Sequence, residues 1–350
     1  MIFRVINEER MPQVEELWTQ CFEKRGEPFF ERYFSTYCGR DNTVLGGFDE
    51  QNHLLTMLHL NPYMLQLRGV EILTPYIVGV ATDARFRGQH LMGELLKMSF
   101  QVLRSQKFPF VFLRPVAEVI YRPYGFTGVD YHGQPDLHRF KSDFDLTPVA
   151  LDDADAVKMQ LSPFYNRYTA DKNTVLRTDF QWHKLLGMAR AEGTKCYFLY
   201  KEGLKAGYAL VQDDGQVAEC IVPEGLQTEV SSDRAFIMAR CIDARAALSR
   251  LPVPEGLGNL QLNLLLTDSS LSENSHLLHI EIRDGQLKFS STVEPEDVTM
   301  KMEAFTRLCF GAEDLLNLVA DGSVKVQDAT KLAGLAKLFP VRRTYINEYF

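Results

Sequence analysis

The chain has no long apolar run and no segment rich in lysine and arginine. No segment approaches the roughly 20 consecutive apolar residues that a membrane-spanning helix needs. Acidic side chains outnumber basic ones, 46 to 38, so the extended basic surface that binds nucleic acid is not expected. The first ten residues also lack the apolar core of a signal peptide. We therefore predict a cytoplasmic protein with neither a membrane nor a nucleic-acid partner.

Closely spaced metal ligands and paired cysteines are also missing. The six cysteines are scattered along the chain, and the eight histidines form no motif of the HExxH kind. His276 and His279 are three residues apart, but no cysteine or carboxylate motif accompanies them. We predict reduced thiols and no metal cofactor.

The hydrophobic pattern divides the chain into three units that mix helices and strands. At 350 residues the chain is longer than a single hydrophobic core usually supports. We place the units at residues 1–137, 138–232 and 233–350, and we predict an α+β fold. The third unit should begin with a helix over about residues 234–250 and contain a hairpin turn at Asp284 and Gly285.

The first unit has the most regular pattern of strands and helices. A short strand and two helices with regularly spaced apolar residues come first. Four consecutive antiparallel strands are predicted between residues 43 and 80, because each apolar segment there is bounded by Gly, Pro, Asn or Asp. A helix and a buried strand near residues 107–113 follow.

A buried strand, an arginine-rich turn and a helix follow one another in IVGVATDARFRGQHLMGELL, residues 77–96. The first turn of a helix has unpaired N–H groups and about half a positive charge, so it attracts phosphate. Arginine side chains in the turn would add charge-assisted donors. An ordinary solvated turn is the alternative interpretation. The predicted phosphate-binding residues are Arg85, Phe86, Arg87, Gly88, Gln89, His90 and Leu91.

The spacing of this turn resembles motif A of the GNAT acetyltransferases, which binds acetyl-CoA. Arg87 and Gly88 match the start of its Arg-Gly-x-Gly-x-Gly form. His90 and Met92 stand where the family usually has glycine or alanine, and Gly93 comes one residue late. Histidine carries a Cβ and adopts positive φ less readily than glycine.

The same resemblance gives the preceding strand a role. It implies that Val78, Gly79 and Val80 line the pantetheine arm of acetyl-CoA, with the Val80 amide polarising the thioester carbonyl. A plain core strand explains the valines equally well.

The segment EVIYRPYGF resembles the Tyr-x-x-x-Gly-Phe signature that closes GNAT domains, with Tyr121, Gly125 and Phe126 at the matching positions. In that family the first tyrosine protonates the departing CoA thiolate. A phenol with a pKa of about 10 is protonated at neutral pH and suits this step. We predict that Tyr121 is the general acid. Tyr124 is the nearest rival, and simple packing is the alternative for both tyrosines.

The whole chain resembles the enhanced-intracellular-survival (Eis-like) acetyltransferases. That family combines tandem GNAT domains, the second degenerate, with a C-terminal domain similar to sterol carrier protein, and it forms large homo-oligomers. The resemblance implies a homo-oligomer, as large as a hexamer, and a catalytic role for the terminal residue Phe350. The α-carboxylate of Phe350 would act as general base. The last seven residues, TYINEYF from residue 344, are also unusually apolar for a solvated tail.

We therefore predict an N-acetyltransferase that moves acetyl from acetyl-CoA to a primary amine. The acceptor would be cationic, such as an aminoglycoside, a polyamine or a lysine side chain, because the protein is acidic. Neither motif contains a Cys or Ser nucleophile, so direct attack in a ternary complex is expected. The alternative is a non-catalytic protein that binds CoA, or an apolar ligand in its sterol-carrier-like domain.

Overall fold

The computed structural model describes residues 1–133, 135, 142–223 and 232–348, and its strands form three sheets. In the described part of the chain, the largest sheet contains β1 (Ile2–Val5), β2 (Thr43–Phe48), β3 (Leu54–Leu67), β4 (Val70–Thr82), β5 (Phe110–Leu113), β6 (Thr127–Asp130), β8 (Asn173–Val175), β12 (Ile237–Cys241) and β18 (Thr344–Tyr345). The second sheet contains β7 (Asp145–Val149), β9 (Lys195–Lys201), β10 (Leu204–Val211) and β11 (Val217–Ile221). The third contains β13 (Leu260–Thr267), β14 (His276–Arg283), β15 (Gln286–Ser291), β16 (Val298–Lys301) and β17 (Val324–Val326).

Helices pack against these sheets. They are α1 (Met11–Cys21), α2 (Pro28–Thr36), α3 (Leu91–Ser105), α4 (Glu118–Tyr121), α5 (Ala154–Thr169), α6 (Asp179–Ala191), α7 (Ala244–Leu248), α8 (Met302–Phe310), α9 (Leu315–Ala320) and α10 (Leu332–Leu338). The local sequence explains why several of these helices begin where they do. Pro12 and Pro28 lie in the first turns of α1 and α2, where no N–H is needed. The side chains of Asp153 and Thr178 cap α5 and α6.

The strand meander of the first unit has one strand fewer than predicted. The two segments predicted on either side of Asn61 and Pro62 form the single long strand β3. Pro62 lies directly opposite Pro75 of β4. Neither proline has an N–H, so this cross-strand pair needs no hydrogen bond and the ladder continues past it.

Strand β12 lies between β5 and β6 in the largest sheet although it follows the second sheet in the chain. It pairs antiparallel with both β5 and β6. The predicted helix over residues 234–250 is therefore wrong across β12, and only α7 is helical there. All five residues of β12 are buried. A strand buried on both faces has a continuous apolar run, which periodicity does not distinguish from a helix. The boundaries at residues 137 and 232 stay predictions.

A buried ion pair joins β12 to the third sheet. The Nη2 atom of Arg240 donates to both carboxylate oxygens of Asp268, at 2.8 and 2.9 Å, and both side chains are almost wholly buried. The Nη1 atom of Arg240 also donates to the Tyr124 carbonyl oxygen at 2.5 Å. Asp268 follows β13 directly and accepts from the backbone N–H of Leu271. The guanidinium therefore connects the first unit to the third.

Removing one partner of this pair should destabilise the protein strongly. Asp268→Ala leaves the Arg240 guanidinium buried without its carboxylate, which costs about 3–5 kcal/mol. The matched control is Lys97→Met, since Lys97 and Glu94 form an exposed pair at 2.9 Å, and solvent screens exposed pairs so that they contribute little to stability. Thermal unfolding should show a large decrease in midpoint for Asp268→Ala alone. Equal midpoints for the two variants would contradict this account.

Candidate active site

Strands β4 and β5 pair briefly and then stop pairing. Their parallel register covers only Tyr76 with Phe112 and Ile77 with Leu113. Strand β5 ends at Leu113, whereas β4 continues to Thr82. Within the described residues, no strand pairs with this edge of β4 beyond Ile77. The last five residues of β4 thus have an open edge, where an extended ligand can lie beside the backbone.

The same stretch of β4 contains a β-bulge in its pairing with β3. The register with β3 shifts between Met57, which pairs with Ala81, and His59, which pairs with Val78. Gly79, inside the bulge, has a φ of +61°. A Cβ built on Gly79 would lie 2.6 Å from a ring carbon of Trp18. Positive φ and close packing together require glycine here.

The arginine-rich turn leads directly into α3, as predicted. Gly88 has a φ of +79°, and His90 takes the left-handed conformation with φ +60° and ψ 16° as the N-cap of α3. His90 therefore adopts the conformation for which the family uses glycine. Its side chain does not cap the helix. The N–H groups in the first turn of α3 have no intrahelical acceptor, so they are available to an anion.

The two arginines of the turn already have partners. Arg85 binds the carboxylate of Asp83, with Nη2 to Oδ2 at 2.6 Å, and this contact lowers the pKa of Asp83. Arg87 donates from Nε to the Thr82 carbonyl oxygen at 3.2 Å. Both arginine residues are exposed, as are Gly88, Gln89 and His90, whereas Leu91 is buried. Phe86 is half-buried. Five of the seven predicted anion-binding residues are thus exposed in one turn, although Arg85 would have to divide its donors between Asp83 and a ligand.

Tyr121 ends the short helix α4, which follows β5. Only 7% of its surface is exposed, and its ring packs edge-on against Phe126. Burial raises the pKa of its phenol above the usual value of 10. Tyr121 is therefore protonated throughout the physiological range and can donate a proton.

The rival tyrosine, Tyr124, packs against α3. Its ring lies over the backbone of Gly93, where an added Cβ would come within 2.4 Å of the hydroxyl oxygen. Gly93 comes one residue later than the glycine of the family motif, and the close approach of the Tyr124 ring explains why a glycine stands there. Gly125 has a φ of +77°, and a Cβ there would overlap the Arg240 guanidinium. The YGF segment is held by packing and by the buried Arg240.

A polar network that the sequence analysis missed lies on the β3 side of the bulge, away from the open edge of β4. His59 on β3 is fully buried, and its Nδ1 atom is 2.9 Å from the Tyr33 hydroxyl. Asn42 donates to both Tyr33 and Asn61, at 3.1 and 2.9 Å. Burial lowers the pKa of His59 to about 3, so the imidazole stays neutral. The ring of Trp18 stacks on Tyr33 with centroids 5.0 Å apart. No local motif connects these residues, so sequence patterns offered no signal.

The C-terminal segment lies against the same sheet. Strand β18 pairs in parallel with β8, which itself pairs with β3. The backbone N–H of Ile346 donates to Asp130 at the end of β6, at 2.8 Å. The Tyr76 hydroxyl donates to the Glu348 carbonyl oxygen at 3.2 Å. Tyr76 is two residues before Val78 on β4. The predicted general base, Phe350, lies outside the described residues, but the described tail ends beside β4.

No metal-binding cluster of three or more His, Cys, Asp or Glu side chains occurs in the described ranges. Among the same residues, no helix is both long and apolar enough to cross a membrane.

Two parts of the chain match known protein families. Residues 3–129 match the acetyltransferase (GNAT) domain, and residues 244–347 match the sterol carrier protein domain. The first match makes the chain an acyltransferase by domain content, as predicted. A sequence comparison with curated proteins gives no match.

Several solved structures are similar along the full length of the chain. A conserved protein of unknown function from Enterococcus faecalis V583, described as a probable N-acyltransferase, has a TM-score of 0.79 at 16% identity; the alignment covers 100% of this chain and 99% of that one. A GCN5-related N-acetyltransferase from Anabaena variabilis has a TM-score of 0.74 at 16% identity, with 100% of both chains covered. Eis1 from Mycobacterium abscessus has a TM-score of 0.72 at 14% identity, again over 100% of both. With the two domain matches, this likeness confirms the predicted fold class of tandem GNAT domains and a sterol-carrier-like domain.

The bulge glycine should be far less tolerant of a side chain than a glycine in an open turn. Gly79→Ala and Gly69→Ala both place alanine at positive φ, which costs about 1–2 kcal/mol. Only at Gly79 does the new methyl meet another group, the Trp18 ring, whereas nothing lies within 4 Å at Gly69. We expect a further loss of about 1–3 kcal/mol for Gly79→Ala, with weaker acetyl-CoA binding.

Thermal unfolding and calorimetric titration of acetyl-CoA measure these two effects. Gly69→Ala should bind acetyl-CoA as the unmodified protein does. If the two variants behave alike in both measurements, the packing at the bulge has no special role.

Proposed function

We propose that this acyltransferase moves acetyl from acetyl-CoA to a primary amine of a cationic acceptor, as the Eis-like enzymes do. The observation that carries the proposal is the convergence of four features on one end of the largest sheet. They are the open edge of β4, the exposed arginine-rich turn before α3, the buried phenol of Tyr121 and the anchored C-terminal segment.

Acetyl-CoA fits the open edge of β4 by its chemistry. The pyrophosphate would bind the exposed turn from Arg85 to Leu91 and the first N–H groups of α3. The pantetheine amides would run along Val78, Gly79 and Val80, whose backbone faces no strand on that side among the described residues. The Val80 N–H would then donate to the thioester oxygen.

Two groups would transfer protons in the reaction, the Tyr121 hydroxyl as acid and the Phe350 carboxylate as base. The acceptor nitrogen attacks the acetyl carbonyl carbon, and the carbon–sulfur bond breaks as the tetrahedral intermediate collapses. The departing thiolate takes a proton from the Tyr121 hydroxyl, which burial keeps protonated. Before the attack, the terminal carboxylate of Phe350 takes one proton from the ammonium form of the acceptor, because only the neutral amine has a lone pair. The second proton, which the nitrogen loses as the amide forms, returns to the Tyr121 phenolate. The described residue nearest to Phe350 in the chain, Glu348, accepts a hydrogen bond from Tyr76 of β4, which supports this assignment.

Direct transfer agrees with the state of three buried cysteines. Burial raises the pKa of Cys38, Cys196 and Cys309 to about 12, so these thiols are protonated and poor nucleophiles. A covalent acetyl-enzyme on any of them is disfavoured. We propose attack by the amine within a ternary complex.

The acceptor is proposed from charge alone. A net charge of −8 attracts cations, which fits an aminoglycoside, a polyamine or a lysine side chain. Assembly into a homo-oligomer and a cytoplasmic location stay predictions.

Replacing the proposed acid should stop turnover and leave cofactor binding intact. Tyr121→Phe removes only the hydroxyl, and loss of a general acid lowers kcat by about 10²–10⁴-fold. Tyr124→Phe is the matched control, since its ring packs on Gly93, and it should change kcat little. CoA thiol release measures kcat. The rate of the unmodified enzyme should not fall on the alkaline side below about pH 10, because burial moves the Tyr121 pKa upward.

Equal kcat values for Tyr121→Phe and the unmodified enzyme would remove Tyr121 from the mechanism. Tight acetyl-CoA binding without thiol release on any amine would instead favour the non-catalytic binding protein.

Extending the chain at its C-terminus tests the proposed base. A short Gly-Ser extension turns the terminal carboxylate of Phe350 into an amide, which cannot accept the proton, so we expect kcat at pH 7 to fall by about 10²-fold or more. The same extension at the N-terminus is the control and should have no effect. Turnover that survives the C-terminal extension would show that another group is the base.

A further inference from the structure

The hydroxyl of Tyr121 makes no hydrogen bond to another residue in the described part of the chain. Its ring contacts that of Phe126, with centroids 6.0 Å apart. Tyr121 ends α4 and directly precedes the 3-10 turn Arg122–Tyr124. Since no hydrogen bond fixes the hydroxyl, its position depends on the backbone turn that carries the residue.

The beginning of this turn is attached to the segment that leads into β12. Glu118 is the first residue of α4, and its Oε1 atom accepts a hydrogen bond from the backbone N–H of Ala235 at 2.7 Å. Its Oε2 atom accepts from Nη2 of Arg122 at 2.6 Å, one turn further along. The carboxylate therefore joins both sides of Tyr121 to the same neighbouring segment.

The end of the turn is attached to β12 itself. The Nη1 atom of Arg240 donates to the carbonyl oxygen of Tyr124 at 2.5 Å. A Cβ on Gly125 would lie 1.7 Å from that nitrogen, so the guanidinium reaches the turn only because this residue is glycine. Tyr121 thus lies between two attachment points, three residues before it and three after it, and both partners belong to residues 235–240.

The third unit fixes the guanidinium that holds the turn. Both carboxylate oxygens of Asp268 accept from Nη2 of Arg240. The same carboxylate accepts from the backbone N–H groups of Ser270 and Leu271, each at 3.0 Å, and from Nδ2 of Asn274 at 3.2 Å. A buried carboxylate with this many donors has a fixed position. The contact with the turn is therefore supported from the third unit.

We infer that Glu118, Arg240 and Asp268 are positioning residues, which hold the acid of the proposed reaction in place at the acetyl-transfer site. The inference rests on the proposed function, in which Tyr121 is that acid. Misplacing a reacting group by about 1 Å can lower a rate about 10²-fold, so attachment at both ends of the turn affects turnover. Acetyl-CoA would bind through the edge of β4 and the turn before α3, so kcat and cofactor affinity should respond separately.

The first pair of variants tests the attachment at the beginning of the turn. Glu118→Ala removes the oxygen that accepts from the Ala235 N–H. Glu118→Gln is the conservative variant, because its amide oxygen can still accept that hydrogen bond. The Glu118 side chain is partly exposed, so neither change leaves a buried charge.

The second variant tests the attachment at the end of the turn. Arg240→Met combined with Asp268→Asn removes the guanidinium without leaving a buried charge unpaired, and Asn keeps an acceptor oxygen for the Leu271 N–H. The matched control is Arg68→Met. Arg68 also joins the first unit to the third, by donating from Nε to the Cys309 carbonyl oxygen at 2.8 Å.

Each change is made in the unmodified enzyme and in Tyr121→Phe, and kcat and the acetyl-CoA dissociation constant are measured below the unfolding midpoint of every variant. In the unmodified enzyme, Glu118→Ala and the double variant should each lower kcat about tenfold or more, with cofactor affinity unchanged to within about twofold. Glu118→Gln and Arg68→Met should keep kcat within about threefold. In Tyr121→Phe, neither test change should lower kcat by more than about twofold, because the hydroxyl that they position is already absent.

Two outcomes overturn the inference. A kcat unchanged in both test variants shows that the turn needs no such attachment, and an equal fractional loss with and without the Tyr121 hydroxyl shows a general loss of active enzyme. Tyr121→Phe alone separates this failure from that of the proposed function. If it leaves kcat unchanged, the proposed acid is wrong, and the positioning role with it. If it lowers kcat while both test variants do not, only the positioning role is wrong.

Discussion

A guanidinium buried between two carboxylates fixes the position of Asn347 and Glu348. Arg177 cannot be left unpaired in the interior, since an isolated buried charge is costly. Glu219 alone satisfies part of its hydrogen-bonding capacity, and Glu348 satisfies the rest. The tail is thereby drawn between the first sheet and the second unit, where β18 adds to β8 and Ile346 binds Asp130. Without this constraint, the end of a chain would by default fray into solvent.

The arrangement gives the second unit a role that does not require a cofactor of its own. The sequence of the first unit has an arginine-rich turn after its last meander strand, and the second has VPEGLQTEV at the corresponding place, without arginine. The second unit instead contributes Arg177, Glu219, Tyr165 and Trp182, which form a rigid receptor for the tail. The third unit reaches back to the first through Arg240 and Asp268 and supplies the tail itself. The three units are therefore connected through buried contacts of Arg177 and Arg240.

Much of the fold was readable from the sequence because the relevant signals are local. The alternating apolar segments and the Asp284–Gly285 turn predicted the hairpin of β14 and β15, and both turn residues have positive φ as such a turn requires. The helices α8 and α9 follow from apolar spacing. Strand β12 was missed because a fully buried strand and a buried helix share one apolar pattern. Its pairing with β5, more than 120 residues earlier in the chain, has no local signal.

The candidate site also contains residues that local sequence signals predict and residues that such signals do not predict. The turn from Arg85 to Leu91 and the phenol of Tyr121 are sequence motifs, so their positions could be predicted. For His90, the sequence shows only that a histidine stands where the family usually has glycine. Its left-handed backbone conformation is seen in the structure. Arg177, Glu219 and Glu348 come from three distant segments and meet only in the folded chain. Charged residues are common on surfaces, and nothing in their neighbours along the chain marks these three as buried.

The most direct measurement is CoA thiol release by the untagged protein with acetyl-CoA and a panel of aminoglycosides, polyamines and peptide lysines. The account predicts release with at least one primary amine, together with an acetylated product detected by mass spectrometry. Binding of acetyl-CoA without release on any member of the panel would contradict it.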